Sequence, residues 1–450
     1  MTLHTDPLWL RVLPAFVRQR LAGRQNLFAV LRNSGWLVFD KCMRGLLTLL
    51  VGAWVARYLG PQQFGELSFV LAYLALFQSL AYLGLDSVVV RNIARIQHSD
   101  FSEEVKKSQT GELLGAVFSI RLLSGMAFWL LAVVGMWSFT TPRYALLTAL
   151  AGASLVFQAA DTVDLWFQSQ SQSKRTVLAK LVAYISSNGV RVALVLGDFD
   201  LVWFAAAVGL EFLLAAFALH FSYKRFSCGA QWIKSIGQLG VVLIGESYLF
   251  ALAGLFNLIS NKMDQMVLNQ YWGDSVLGLY SVFLPIIAIC YSIPNMICVS
   301  AMPHFARLHK ADVVNFRKKV AQFFALNYLL SFSMFLFIYI FSREIILVFF
   351  GKQYLAAENA MVVYALTAIT TTSWIAQWVW TYNQEKGRQQ LGQTFLGALL
   401  TTLFSIWFIP IYGIIGASVA IVLSQFFAFI LFNYFIDREL FRLQFCVVKG

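Results

Sequence analysis

Charge is what this sequence has least of. Only 12% of its 450 residues are Asp, Glu, Lys or Arg, about half the usual share in a soluble domain. Long polar stretches are missing as well. The longest, Ser87–Glu112, Tyr223–Lys234 and Pro303–Lys319, are too short to bury a core of their own, so no separate soluble domain and no nucleic-acid partner is expected despite a net charge of +12. No GxxxxGK[ST] run occurs, which excludes ATP binding by a phosphate loop. The five cysteines, Cys42, Cys228, Cys290, Cys298 and Cys446, show no CxxC spacing and read as small apolar residues; no disulfide, metal site or cofactor is expected. Near the N-terminus no apolar run ends in a small-residue cleavage site, so residues 1–33 do not read as a signal peptide.

Apolar residues make up 59% of the chain and aromatics 16%. They gather in twelve runs, each near the ~20 residues that cross a bilayer as a helix. The runs are continuously apolar rather than alternating, which argues for helices and against a barrel. The expected fold class is an all-α polytopic membrane protein. Its spans are read as 34–56, 65–85, 113–137, 144–167, 176–197, 200–222, 238–260, 276–300, 321–342, 359–382, 391–410 and 413–436. Of the 34 Lys and Arg residues, Arg57, Arg143, Arg343 and Lys352 fall in loops on one side. Lys41, Arg44, Arg121, Lys180, Arg191 and Lys262 fall within or at the edges of spans, and all others lie on the opposite side. That bias places the basic loops and both termini in the cytoplasm. The outer loops are very short, which argues against an integral glycosyltransferase, polymerase or ligase; the chain is not expected to be an enzyme. In residues 1–33, Arg11, Arg18, Arg20, Arg24 and Arg32 stand beside Trp9, Leu13, Phe16 and Val17, which suits either a cytoplasmic tail or a segment lying on an anionic leaflet.

The chain repeats itself. Tyr58, Gly60, Gly65 and Ser68 recur as Tyr271, Gly273, Gly278 and Ser281. Ala94-Arg95-Ile96 with Asp100 recurs as Ala306-Arg307-Leu308 with Asp312, and Trp166 to Gln170 with Lys174 resembles Trp380 to Gln384 with Arg388. The near-constant offset predicts two six-helix halves, 34–222 and 238–436, in parallel orientation around a central cavity. They are joined by a cytoplasmic linker, 223–237, and followed by a tail, 437–450. Gly60 and Gly273 suit tight turns; Gly65 and Gly278, each opening a helix, suit close helix packing.

The run Asn33-x-x-Trp36, Arg44, Val55-Ala56-Arg57-Tyr58-Leu59-Gly60-Pro61-x-x-Phe64-Gly65 resembles the opening of the Wzx-type polysaccharide (O-antigen) flippases, of the superfamily that also holds the MATE exporters and the lipid II flippase. Asp264-x-x-x-Leu268, Gly273, Gly278-x-Tyr280 and Gln384-x-Lys386-Gly387 resemble later turns of that family. Twelve spans rather than fourteen separate the chain from the lipid II flippase type. The resemblance implies a bacterial inner-membrane transporter that moves an undecaprenyl-diphosphate-linked oligosaccharide to the outer leaflet by alternating access, coupled to H+ or Na+. It also implies a polysaccharide polymerase and chain-length proteins as partners. A drug exporter of the same fold would want a more acidic and apolar cavity than these span-associated cations supply.

Ionisable residues inside spans are costly and face a bundle interior or water. Asn33, Asp40 and Arg44 fall within about 40° on the first span, and Glu246, Asn257 and Asp264 within about 20° on the seventh. At the repeat offset, Asn33 maps to Glu246 and Arg44 to Asn257, so both stripes read as facing walls of the cavity. Arg44 suits bidentate phosphate contact, unless Asp40 four residues away merely neutralises it. Lys41 lies about 100° around the helix. Arg191 either joins the cavity or pairs with Glu211. Glu246 and Asp264 are candidates for carrying a coupling ion. Arg121, Asp161, Asp164 and Lys180 read as mutual ion pairs. Trp374, Trp378, Trp380 and Tyr382 read as interfacial anchors or as platforms for sugar rings.

Overall fold

The computed structural model describes residues 25–170, 172–226, 232, 237–384 and 386–445, with backbone alone for 25–38 and 237–238. Residues 1–24, Cys228, Cys446 and the last residues of the tail lie outside the described residues, as does the side chain of Asn33.

Among the described residues every regular element is a helix. In order they are α1 (Gln25–Tyr82), α2 (Leu85–Gln97), α3 (Glu103–Phe139), α4 (Pro142–Phe157), α5 (Thr162–Ser169), α6 (Ser173–Leu196), α7 (Leu201–Phe226), α8 (Gly237–Ser281), α9 (Leu284–Ala311), α10 (Val313–Phe349), α11 (Glu358–Ala365), α12 (Thr367–Asn383), α13 (Gly387–Phe426), α14 (Phe432–Ile436) and α15 (Arg438–Gln444). An apolar chain in lipid must satisfy its peptide groups internally, and a helix does so within one segment. Among the described residues nine stretches are long and apolar enough to cross a membrane. Leu131, Val134, Phe337 and Trp407 point outward at half exposure or more, as lipid-facing residues do.

Three of the longest helices are broken by glycine. Gly60 (φ 69°) interrupts α1, Gly273 (φ 77°) interrupts α8, and Gly413 (φ 56°) interrupts α13. Only glycine takes these left-handed angles without strain. Pro61 follows Gly60 and opens the next helical stretch, where its missing N–H costs nothing.

The apolar cores sort along the chain. One is built from α1 to α7, around Val70, Leu147, Ala151, Leu155, Leu201 and Phe204. Another draws almost wholly on α8 onward, around Leu268, Tyr280, Phe283, Ile346 and Tyr354. A third joins α9, α10, α12 and α15 through Phe316, Phe324, Val379 and Trp380. The tryptophans of α12 belong to this interior. Trp380 is buried, stacks on Phe316 at 5.8 Å and donates to Asp437 at 3.1 Å. Trp374 stacks on Phe429 at 5.3 Å and packs edge-on against Trp378 at 5.1 Å. Trp380 is therefore core packing, Trp374 and Trp378 lie half-buried against that core, and Tyr382 alone of the four is well exposed.

After α13 the chain makes one π turn, Phe427–Leu431. Such turns free a main-chain carbonyl from the α ladder. Here the carbonyl of Phe429 accepts from Gln377 (2.5 Å), Asn433 (2.9 Å) and Gln444 (3.0 Å). Gln393 closes the network by donating to Gln377 and Asn433 at 3.0 and 2.7 Å. Five buried polar groups are thus joined in one network, as lipid-embedded groups tend to be, with the Gln444 Oε1 left over.

Candidate functional site

The first helix carries a cluster of charge where its flanks are Leu, Val and Phe. Asp40 and Arg44 sit one turn apart, and Arg44 Nε donates to Asp40 at 2.9 Å. Both side chains keep part of their surface accessible, 29% for Arg44 and 19% for Asp40. The Arg44 guanidinium lies over the ring of Tyr184 on α6, 4.8 Å from its centre. Thr48, one turn on, shares a 2.6 Å hydrogen bond with the Tyr184 hydroxyl. Arg44 is thus held on two sides, by a carboxylate on its own helix and by an aromatic face on another. One nitrogen is engaged with Asp40, and the rest of the planar fork remains for an anion. Lys41 is exposed beside it and makes no ion pair among the described residues.

Tyr184, Asn188 and Arg191 share one face of α6, spaced as i, i+4 and i+7. Asn188 donates to the Tyr184 carbonyl at 2.8 Å and accepts from Arg191 at 3.3 Å. Arg191 also pairs with Glu211 of α7 at 2.8 Å, at 20% and 15% exposure. The face therefore links Arg44 to Arg191, with Tyr184 as the hinge that the sequence reading missed. Its signal was present, since a tyrosine, an amide and an arginine recur at helical spacing inside an apolar span.

The residues of α8 are distributed differently from the expected stripe. Glu246 pairs with Arg91 of α2 at 2.7 Å, both well exposed. Asn257 accepts from Asn261 at 3.1 Å. Asp264 is fully buried; the Tyr280 hydroxyl donates to its Oδ2, and its Oδ1 has no partner. Asp264 therefore sits inside the core around Tyr280 and Phe283, not on a cavity wall in line with Glu246. The start of the helix meets α2, whereas along its length it packs against α1 and α13 and, through Tyr280, against Tyr364 of α11.

A second polar cluster joins α1, α3, α5 and α6. Lys180 reaches Asp161 at 2.8 Å and Asp164 at 2.7 Å, and Tyr82 donates to Asp161 at 3.1 Å. Arg121, buried to 3%, pairs with Asp86 of α2 rather than with Asp161 or Asp164, and covers the Tyr82 ring at 5.4 Å. The expected mutual pairing holds for three of the four residues, while Arg121 takes an acid that the spacing did not single out. Among the described residues no group of three or more His, Cys, Asp or Glu side chains is placed to hold a metal ion.

Residues 30–309, more than half of the chain, match the family model described as polysaccharide biosynthesis protein. The capsular polysaccharide biosynthesis protein CapF of Staphylococcus aureus is 18% identical over 427 residues, covering 91% of this chain and 100% of that one. Among solved structures, the inward-facing conformation of a multidrug resistance MATE family transporter of the MOP superfamily is similar with a TM-score of 0.69 at 13% identity, over 90% of this chain and 96% of that one. The lipid II flippase MurJ in an inward closed conformation is similar with a TM-score of 0.70 at 12% identity, over 90% and 89%. At these identities the likeness shows a shared fold.

Proposed function

Because the chain belongs to the polysaccharide biosynthesis protein family, we propose that it carries a lipid-linked oligosaccharide from the inner to the outer leaflet of a bacterial inner membrane. The cargo would be a repeat unit on undecaprenyl diphosphate, and the lipid tail would stay in the bilayer. One observation carries the assignment of the headgroup site. Arg44 lies within the first span with its guanidinium braced by Asp40 and Tyr184 and still partly accessible. A braced guanidinium binds a diphosphate through paired, charge-assisted hydrogen bonds. Lys41 adds a second positive charge, and Asn257 and Arg191 extend the polar lining.

Alternating access asks for two bodies. Dividing the stretches that hold Gly60 and Gly413 and adding 358–383 to the nine apolar stretches would give twelve spans, with the short piece beyond Gly273 running on into α9. Cores drawn mainly from before residue 223 or mainly from after 237, with Ala53, Ala56 and Leu243 crossing over, support two halves, 34–222 and 238–436. We assign coupling to H+ or Na+ to Asp264, a reading supported by its being a fully buried carboxylate with one oxygen free of partners. Glu246 is a weaker carrier, because Arg91 already neutralises it. A polymerase and chain-length proteins would receive the product outside.

The test is deletion of the gene with complementation by wild type or Arg44→Ala, following surface glycan, lipid-linked intermediates and drug sensitivity together. The expected result is loss of surface glycan with lipid-linked units trapped inside, restored by wild type and not by an equally abundant Arg44→Ala. Intact surface glycan with new drug sensitivity would move the chain to the small-molecule exporters.

A further inference from the structure

The two repeated motifs do more than turn the chain: they grip each other. A Cβ on Gly65 would lie 1.8 Å from the carbonyl oxygen of Asp274, and a Cβ on Gly278 would lie 1.9 Å from the carbonyl oxygen of Pro61. Pro61 and Asp274 hold the same place in the two motifs, as do Gly65 and Gly278. The contact is therefore reciprocal, each glycine receiving the carbonyl that the other motif presents. Between them Gln62 donates to Asp274 at 3.1 Å, and Ser275, which holds the place of Gln62 in its own motif, donates to Gln62. The Asp274 carboxylate also accepts from Asn269 at 2.8 Å and from Tyr144 of α4. A second layer lies alongside. Arg57 donates to the carbonyls of Leu347 and Val348 at 3.0 and 2.6 Å, and Tyr354 donates to the carbonyl of Ala56 at 2.8 Å.

We propose that these reciprocal contacts form a clasp that shuts the face opposite the basic loops and parts once in each transport cycle. The inference rests on the transport reading above. Two features separate a clasp from a permanent seam. First, it is fastened by hydrogen bonds at exposed side chains, Gln62 and Ser275 among them, and water can replace such bonds at small net cost. Second, its hinges are clear. Gly60 and Gly273 stand directly beside it in left-handed conformation, yet a Cβ on Gly60 would meet only the Gln353 side chain at 3.8 Å and one on Gly273 would meet nothing within 4 Å. The gripping glycines are crowded and the turning glycines are free. That is the division of labour a moving closure needs.

The test uses the full chain in right-side-out membrane vesicles. Gln62→Cys with Ser275→Cys is bridged by a short bis-methanethiosulfonate reagent, with wild type and each single variant treated alike as controls. Bridging is expected to stop export of the lipid-linked glycan, and a reducing agent to restore it. Separately, Gly278→Leu should prop the clasp. Labelling of Thr48→Cys, in a Cys42→Ser background, by a membrane-impermeant thiol reagent from outside should then rise roughly tenfold or more, in keeping with the cost of overpacking. Failure of the pair to bridge, export that continues while bridged, or labelling unchanged by Gly278→Leu would overturn the clasp. Labelling that responds as expected in a protein on which glycan export does not depend would uphold the clasp and overturn the cargo instead.

Discussion

Lys180 offers a sharp test of how the ends of α1, α5 and α6 are held together. Its ammonium lies 2.8 Å from Asp161 and 2.7 Å from Asp164, and the three side chains keep 22%, 22% and 18% of their surface accessible. Lys180→Met preserves the bulk of the stem and removes the charge, leaving two neighbouring carboxylates without a cation. Removing one partner of a buried pair costs about 3–5 kcal/mol, whereas an exposed pair is worth under ~1 kcal/mol. With a fifth of the surface wet and Tyr82 still donating to Asp161, we expect a loss of roughly 2–4 kcal/mol, between those limits. Asp164→Asn differs, because Lys180 keeps Asp161, and the expected loss is about 1 kcal/mol. Thermal unfolding in detergent measures both. The midpoint should fall by several degrees for Lys180→Met and by less than half as much for Asp164→Asn. Equal shifts in the two variants, or none for Lys180→Met, would show that water already solvates this cluster and would refute the reasoning.

Other expectations concern transport. Arg44→Ala should lower surface glycan about 10- to 100-fold at equal protein abundance, the worth of one or two charge-assisted hydrogen bonds, and Arg44→Lys should fall between that variant and wild type, because charge remains and the fork is lost; quantifying glycan per unit of transporter checks both. Glu246→Gln should leave export near wild type, since its pair with Arg91 is exposed and worth under ~1 kcal/mol; a collapse of export in normally abundant protein would return Glu246 to the coupling role. Asp264→Asn keeps an acceptor for Tyr280 but cannot carry a proton, so transport in vesicles should lose its response to an imposed H+ or Na+ gradient; a response that survives would remove Asp264 from coupling.

How much of this was legible in advance depends on how local each feature is. The helical class follows from long apolar runs, and the breaks at Gly60 and Gly273 follow from glycine chemistry within a few residues. The Arg44–Asp40 pair is a property of one helix, and the spacing of four residues announces it. The Arg191–Glu211 pair spans only one short turn between α6 and α7. What the sequence left open needed a third dimension. A helical wheel gives the phase of Asp264 relative to Glu246, but not that the helix changes neighbours between them, from α2 to a core built by the residues beyond Gly273. Arg121 has three acids within plausible reach, and its partner is decided by how α2 leaves the end of α1, at Leu83 and Gly84, which both take positive φ. Trp380 of α12 looked interfacial because Trp commonly is; α15 folding back over it makes it interior. Gly65 and Gly278 were recognisable as packing glycines, yet nothing local said that each packs against the other's motif.

The π turn at Phe427–Leu431 has a consequence for tolerance to length change. A π turn amounts to one surplus residue in an α-helix. Deleting any one residue from this stretch would restore a regular ladder, which by local criteria is an improvement. It would also rotate everything downstream by about 100°, carrying Asn433 away from Gln377 and Gln393 and withdrawing the Phe429 carbonyl from Gln444. Asn433 and Gln444 would then lose their partners in a dry interior, while Gln377 and Gln393 would keep only each other. The last span of this chain therefore tolerates many apolar substitutions but not a change of count, and its register is set by the carbonyl that the surplus residue releases.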